Sequence, residues 1–419
     1  MKILITASTF PRRANDTLPT FVLDQAVALR AADPALEIHV LAPHDAGAAR
    51  EELLQGIPVH RFRYAWPESA QRLVYPAILP NLRASPGLIL QVPLLFGAEF
   101  LALWRLCRRL RPDLLYSHWF TPQAVTGALV AALLGIPHVF TTHSSDVAVW
   151  HRVPGLGPLI VRAVVRQAAA GTAVSRRTLA KLRSFFADAE WATVAHKFHV
   201  LPMGVEAALG APVDTAVRAQ ARAALALGER PVLVFLGRLT PKKGLPVLLA
   251  ALRQLVATRP ELLLLIAGDG ELRRDLEGEV SRGLAGHVRL LGHVTGDLKR
   301  QLLRAADVFV VPSVVTADGD AEGLPVALLE GLAAGRVCVA TDASGADDIL
   351  TSGVDGFIVP AGDADALRAC LIGVLELDPA ARARLEARAR ERAAAFAWPV
   401  LAGRYLRLLL PAARSGPTP

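Results

Sequence analysis

Short apolar runs alternate with longer amphipathic stretches along most of this chain. Residues 2–7, 36–42, 57–62, 113–117, 137–141 and 169–174 read as buried strands, five to seven residues each and bounded by turn residues. A helix from Thr20 to Ala31 follows the first strand after the long loop FPRRANDTLP. The pattern restarts at PVLVFL, 231–236, which is followed by GRLTPKKG and then by the helical run LPVLLAALRQLV. RPELLLLIAGDGEL gives a further strand with a turn at Gly268–Gly270, and HVRLLGHV gives another. VFVVPS leads through a polar loop to a helix over 324–334, with Gly335 as its stop. RLEARARERAAA is a charged surface helix, and 396–410 is the last helix. Strands alternating with helices predict an α/β fold with parallel, doubly wound sheets.

One stretch departs from this rhythm. Residues 88–107, LILQVPLLFGAEFLALWRLC, are long and apolar enough to span a bilayer. Pro93 and Glu99 lie inside it, and the next strand of the sheet follows at once, so a span would cut the domain in two. The sequence favours a buried helix, with a helix lying on a membrane interface as the alternative.

Composition sets the scale. A chain of 419 residues with 53% apolar content suffices for two α/β domains, each with its own core. Three scattered cysteines offer neither a disulfide framework nor zinc spacing and point to a reducing compartment. The chain opens directly on KILITAS, so no signal peptide is expected and the location is read as cytoplasmic. Charge is uneven. Residues 1–205 hold 21 Lys and Arg against 13 Asp and Glu, while the remainder holds 25 of each. A basic N-terminal half suits an anionic acceptor, or peripheral contact with an anionic membrane at its inner face. No nucleic-acid motif accompanies the charge, so nucleic acid is not an expected partner.

Two runs carry the candidate chemistry. In GRLTPKKG, Arg238 and Lys243 leave a strand end on the side where open α/β sheets bind ligands. Arginine offers a planar fork to phosphate oxygens and lysine a mobile point charge. In EGLPVALLEGLAAG, Glu322 sits on the loop and Glu330 on the helix that follows. A helix N-terminus attracts phosphate, and a carboxylate farther along can accept hydrogen bonds from vicinal hydroxyls. The combination suits a sugar nucleotide. Asp318-Gly319-Asp320 imitates a metal-binding triplet but is a weak motif by itself.

These runs, with AGDGEL, LLGHV and ADVFVVPS between and around them, resemble the C-terminal half of retaining family-4 glycosyltransferases. MKILITASTFP, HWFTPQ, GIPHVFTTHSSD and LPMGV resemble the N-terminal half. The resemblance covers nearly the whole chain. It implies the GT-B fold: two Rossmann-like domains facing each other across a cleft, 1–205 for the acceptor and 206–395 for the donor. Helix 396–410 would cross back to the first domain, and 411–419 would be a disordered tail. It also implies a retaining, metal-independent, front-face transfer from a UDP- or GDP-sugar to a glycan or lipid-linked acceptor, without a cofactor.

Site roles follow from the same resemblance. Arg238 and Lys243 would stabilise the leaving diphosphate, Glu322 would orient the transferred sugar, and His143 would lie beside it. Gly323 and Leu324 would offer N–H groups and Glu330 would hold the ribose. Gly237 would border the donor, and the base would rest on backbone near Gly292 and Val294. Arg12, Arg13 and His118 would face the acceptor. Three positions depart from the family pattern: Ser144 stands where glycine is usual, Met203 where asparagine is usual, and the first loop lacks a glycine pair around Asn15, Asp16 and Thr17. A sugar-nucleotide epimerase shares the fold and is the alternative reading. A dinucleotide oxidoreductase would need G-x-G-x-x-G after the first strand, which TASTFPRR lacks.

Overall fold

The computed structural model describes residues 1–14, 16, 18–211 and 214–414, and the chain divides into two compact units. The first comprises 1–203 and the segment from Leu401 on; the second is Gly204–Val400. The sequence-based boundaries at 205/206 and 395/396 thus lie two and five residues away. The first unit holds 24 basic and 13 acidic residues, the second 22 and 25, so the basic excess belongs to the first.

The first unit is built on an eight-stranded sheet. Its strands are β1 (Lys2–Ala7), β2 (Glu37–Pro43), β3 (Glu51–Leu54), β4 (Ile57–Phe62), β5 (Leu114–His118), β6 (His138–Thr142), β7 (Ala170–Ala173) and β8 (Phe198–Val200). They lie in the order β3-β4-β2-β1-β5-β6-β7-β8, all parallel except β3. β3 and β8 were not legible in the sequence. β3 is a four-residue edge strand with alternating exposure, and β8 has three residues. Helix α1 (Phe21–Ala32) follows β1; α2 (Ile78–Ala84) and α3 (Gln91–Leu110) lie between β4 and β5; α4 (Val125–Leu134) follows β5.

α3 corrects the expectation for 88–107. Only one side is buried: Leu95, Leu103, Leu106 and Cys107 join a core with Leu4, Leu41, Leu115, Val130 and Ala131. Glu99 is on that inner side, against Gln123 and Thr126 near the start of α4. The outer side is apolar yet open to solvent. Leu90 is 78% exposed, with Ile89, Leu94 and Leu101 beside it in sequence. Leu129 and Leu133 of α4 and Leu156 and Leu159 of the helix Leu156–Gln167 are exposed too. The apolar run is therefore wider than one core-facing stripe needs, a property hydropathy alone cannot separate from full burial.

The second unit has six parallel strands: β9 (Val232–Leu236), β10 (Leu263–Ala267), β11 (Val288–Gly292), β12 (Val308–Val311), β13 (Val337–Thr341) and β14 (Phe357–Val359). Their order is β11-β10-β9-β12-β13-β14, the 3-2-1-4-5-6 arrangement of a dinucleotide-binding sheet. Strands and flanking helices enclose a continuous core of leucine and valine around Phe235. The last helix runs Trp398–Arg414, so residues 411–414 are helical rather than tail, and 415–419 lie outside the described residues. Tyr405 anchors this helix within the first unit, its hydroxyl donating to the Leu201 and Pro202 carbonyls.

Candidate functional site: a cationic strand end and a histidine pair

In the second unit, the sheet reverses winding between β9 and β12, the place where such sheets bind ligands. The loop after β9 carries Arg238, Lys242 and Lys243. Backbone bonds fix it: Gly237 N–H donates to Ala267 O at 3.0 Å, Leu239 N–H to Asp269 O at 2.9 Å, and Val314 N–H to Lys242 O at 2.9 Å. Gly244 closes the loop at φ +67°, and a Cβ there would meet Pro312 O at 1.8 Å. Only glycine fits, because both the backbone angle and the space exclude a side chain.

Opposite charges converge on this loop. Lys243 Nζ lies 3.1 Å from Glu322 Oε2, and Lys242 Nζ lies 3.3 Å from Asp320 Oδ1. Burial alone would raise the Glu322 pKa, but Lys243, Lys242 and Arg238 outweigh it and hold the carboxyl below its ordinary value. Arg238 is exposed and makes no ion pair among the described residues. Lys243 turns inward onto Glu322, while Lys242 is committed to the loop that holds Asp320. Asp318 accepts from Thr316 Oγ1 at 2.5 Å within that same loop.

Gly323 and Leu324 lead into the helix Val326–Ala333, two residues shorter at its start than expected, and no side chain caps it. Its first N–H groups are thus left to water or a ligand. Glu330 is the fifth residue of this helix and faces Lys299 of the helix Gly296–Ala305, with Nζ 2.8 Å from Oε1. Lys299 was missed in the sequence: on a polar helix face 31 positions away, it carries no local signal. Gly292 sits at φ +69°, its carbonyl accepting from Gly268 N–H at 2.7 Å, and Val294 is buried.

In the first unit, β5 and β6 end on a histidine pair. His118 Nδ1 and His143 Nε2 are 3.1 Å apart. Burial pushes both imidazoles down, His143 to about 4 despite the opposing charge of Asp146, so both are neutral near pH 7. The buried His118 Nε2 has no partner among the described residues. Asp146 organises the loop: its carboxylate accepts from Phe120 N–H at 2.7 Å, Ser144 N–H at 2.8 Å and Thr142 Oγ1 at 2.9 Å, and also from His143 N–H. Ser144 takes φ 156° and ψ −93°, a region natural to glycine. Trp119, also unforeseen, has φ 73° and places its indole 4.7 Å from the His143 ring, with Phe21 5.4 Å from that ring and 5.7 Å from the indole.

Arg12 does not stand free for an acceptor. Its guanidinium bonds Asp16 at 2.9 Å and Asp45 at 2.8 Å, which raises its pKa further. Arg13 is exposed, and Asn15 and Thr17 lie outside the described residues.

Known proteins share this architecture. An Anabaena protein, Alr3699/HepE, solved with UDP and glucose, superposes on 98% of this chain, covering all of that chain at TM-score 0.71 and 19% identity. A sucrose-phosphate synthase from Thermosynechococcus elongatus matches over 98% of this chain and 99% of its own, at TM-score 0.74 and 22% identity. These likenesses place the two doubly wound units in the GT-B class. Models of "Glycosyltransferase Family 4" and "Glycosyl transferases group 1" match residues 19–209 and 217–392. A GDP-mannose-dependent alpha-(1-6)-phosphatidylinositol monomannoside mannosyltransferase of Mycobacterium tuberculosis is 32% identical over 299 residues, 70% of this chain and 74% of that protein. The chain belongs to the group 1 glycosyltransferases of family 4. A phosphatidyl-myo-inositol mannosyltransferase of Mycolicibacterium smegmatis is 40% identical over 181 residues, 43% of this chain, and the match spans 45% of that relative's length.

Proposed function

We propose that this protein transfers a hexose, with retention and without a metal, from a nucleoside-diphosphate sugar to a lipid-linked or glycan acceptor. The observation that carries this is the cluster of Arg238, Lys242 and Lys243 around the buried Glu322, at the sheet's reversal point and beside an uncapped helix start. Lys243 has three donors and Glu322 takes one, leaving two for phosphate oxygens. Negative charge develops on the diphosphate as its bond to the anomeric carbon breaks. Arg238 and Lys243 stabilise it, each charged hydrogen bond contributing about 1.5–3 kcal/mol. These protein cations supply the field that a divalent metal supplies elsewhere.

The acceptor hydroxyl forms its new bond on the face the phosphate leaves, and its proton passes to a leaving phosphate oxygen. Glu330, steadied by Lys299, receives the ribose hydroxyls. The neutral His118–His143 pair can hydrogen-bond sugar hydroxyls without adding charge. A GDP-hexose is the first donor to test, because relatives at 32–33% identity are named as GDP-mannose-dependent. Their names also give phosphatidylinositol mannosides as substrates, which favours a polyol lipid as acceptor. The basic first unit, with its exposed leucines, is proposed to rest peripherally on an anionic bilayer.

The test is a panel of GDP- and UDP-hexoses with phosphatidylinositol or soluble saccharide acceptors, run in EDTA. Transfer from one donor with the anomeric configuration kept supports the reading. Inversion, or activity restored only by magnesium or manganese, overturns the mechanism.

A further inference from the structure

A cavity of about 360 Å³ opens in the first unit where β2 and β4 end. It is lined by Asp45, Glu68, Arg72, Asn81, Ala84 and Leu88, among others. The volume is at the small end of ligand sites, roughly 300–1,000 Å³. None of these residues entered the catalytic reading above.

The walls are built rather than loose. Asn81 Nδ2 donates to the carbonyls of Arg72, Leu73 and Tyr75 at 3.2, 3.0 and 2.8 Å, tying α2 to the loop after β4. Tyr75 Oη donates to Pro43 O at 3.0 Å, tying that loop to the end of β2. Arg12 holds Asp45 through Oδ2 alone and lies 5.8 Å over the Tyr75 ring. Glu68 is held by Arg63. The two carboxylates are thus fixed in place while their remaining oxygens are acceptors only, a set that suits vicinal hydroxyls. Arg72 is exposed and makes no ion pair among the described residues, so its fork is left for an anion. Beyond Leu88 the chain continues into Ile89, Leu90 and Leu94, which are 57%, 78% and 54% exposed.

Two carboxylates, an arginine and Leu88 line this one cavity, and the exposed apolar run continues from Leu88 along the chain. We infer that the cavity is the binding site for the headgroup of a polyol-phosphate lipid: ring hydroxyls on Asp45 and Glu68, the phosphodiester on Arg72, and the first methylenes of the chains against Leu88, Leu90 and Leu94. The inference rests on the lipid-acceptor reading and adds where the lipid is held. It also explains why apolar side chains stay exposed next to a polar cavity, an arrangement that a soluble saccharide would not use.

The test is calorimetric titration with dihexanoyl phosphatidylinositol, below its micelle concentration, and with its deacylated form, glycerophosphoinositol. Three variants change exposed residues: Arg72→Gln, Ala84→Trp, which fills the cavity, and Leu90→Ser. Thermal melts identify any that misfold. Arg72→Gln is expected to weaken both probes about tenfold, the loss of one charged hydrogen bond. Ala84→Trp should abolish binding of both. Leu90→Ser should weaken the lipid several-fold and leave the deacylated probe unchanged. Wild-type affinity for both probes in folded Arg72→Gln and Ala84→Trp would overturn the site while leaving the lipid-acceptor reading in place. A wild-type protein that binds neither probe and glycosylates a soluble saccharide would remove that reading, and the site with it.

Discussion

Lys243 Nζ lies 3.1 Å from Glu322 Oε2, with both side chains nearly buried. The pair joins the loop after β9 to the approach of the helix Val326–Ala333, so one contact couples the phosphate-facing cation to the sugar-facing carboxylate proposed above. Neither charge is stable alone at that depth.

Removing the lysine should therefore do two things. Lys243→Ala is expected to lower kcat about 10–100-fold through the lost leaving-group contact. It should also raise the Glu322 pKa, since burial then acts with less opposition. The acid limb of the pH–rate profile would move to higher pH. Arg238→Ala, at an exposed position, should lower kcat by a similar factor without moving that limb as far. Near-normal turnover in both variants would remove the electrostatic mechanism.

Lys299 makes a separate claim. Its ammonium holds Glu330 Oε1 at 2.8 Å. Lys299→Met should raise the donor KM several-fold and leave kcat within about twofold, because positioning of the ribose contact is lost and the chemistry is not. A fall in kcat with unchanged KM would show that the pair serves the reacting end instead.

Membrane contact has two physical components. The basic excess of the first unit attracts acidic lipid and is screened within ~10 Å at 0.1 M salt. The leucines of α3 and α4 do not depend on salt. Co-sedimentation with acidic liposomes should fall as salt rises and level off above zero, and Leu94→Ser with Leu133→Ser should lower that level. No binding to acidic liposomes at low salt would leave those leucines without this role.

Glu99 gives a pH dependence of stability. It is buried on the inner side of α3, and burial raises its pKa to about 8, outweighing the opposing influence of the polar neighbours Gln123 and Thr126. The folded carboxyl stays protonated where the unfolded one, near its ordinary value, has ionised. This contribution is complete below about pH 4.5 and is lost as pH rises through about 8. Glu99→Gln should raise Tm relative to wild type at pH 8 and have little effect at pH 4.5. Equal shifts at both values would mean that Glu99 does not titrate in this window.

The sequence by itself determined what is local. Strand periodicity, the GRLTPKKG loop and the spacing of Glu322 and Glu330 depend on neighbours a few residues apart, and hydrophobic patterning records such neighbours directly. It also placed the basic excess in the first unit, because charge needs no geometry to be counted. Tertiary structure decided the pairings. Lys299 with Glu330, Arg12 with Asp45 and His118 with His143 bring together residues on separate elements, and no period in the chain encodes such distances. It also decided which side of α3 meets water. An apolar helix reads the same whether its second face is covered or bare, and only the packing of its neighbours leaves Leu94 and Leu101 exposed while it buries Glu99.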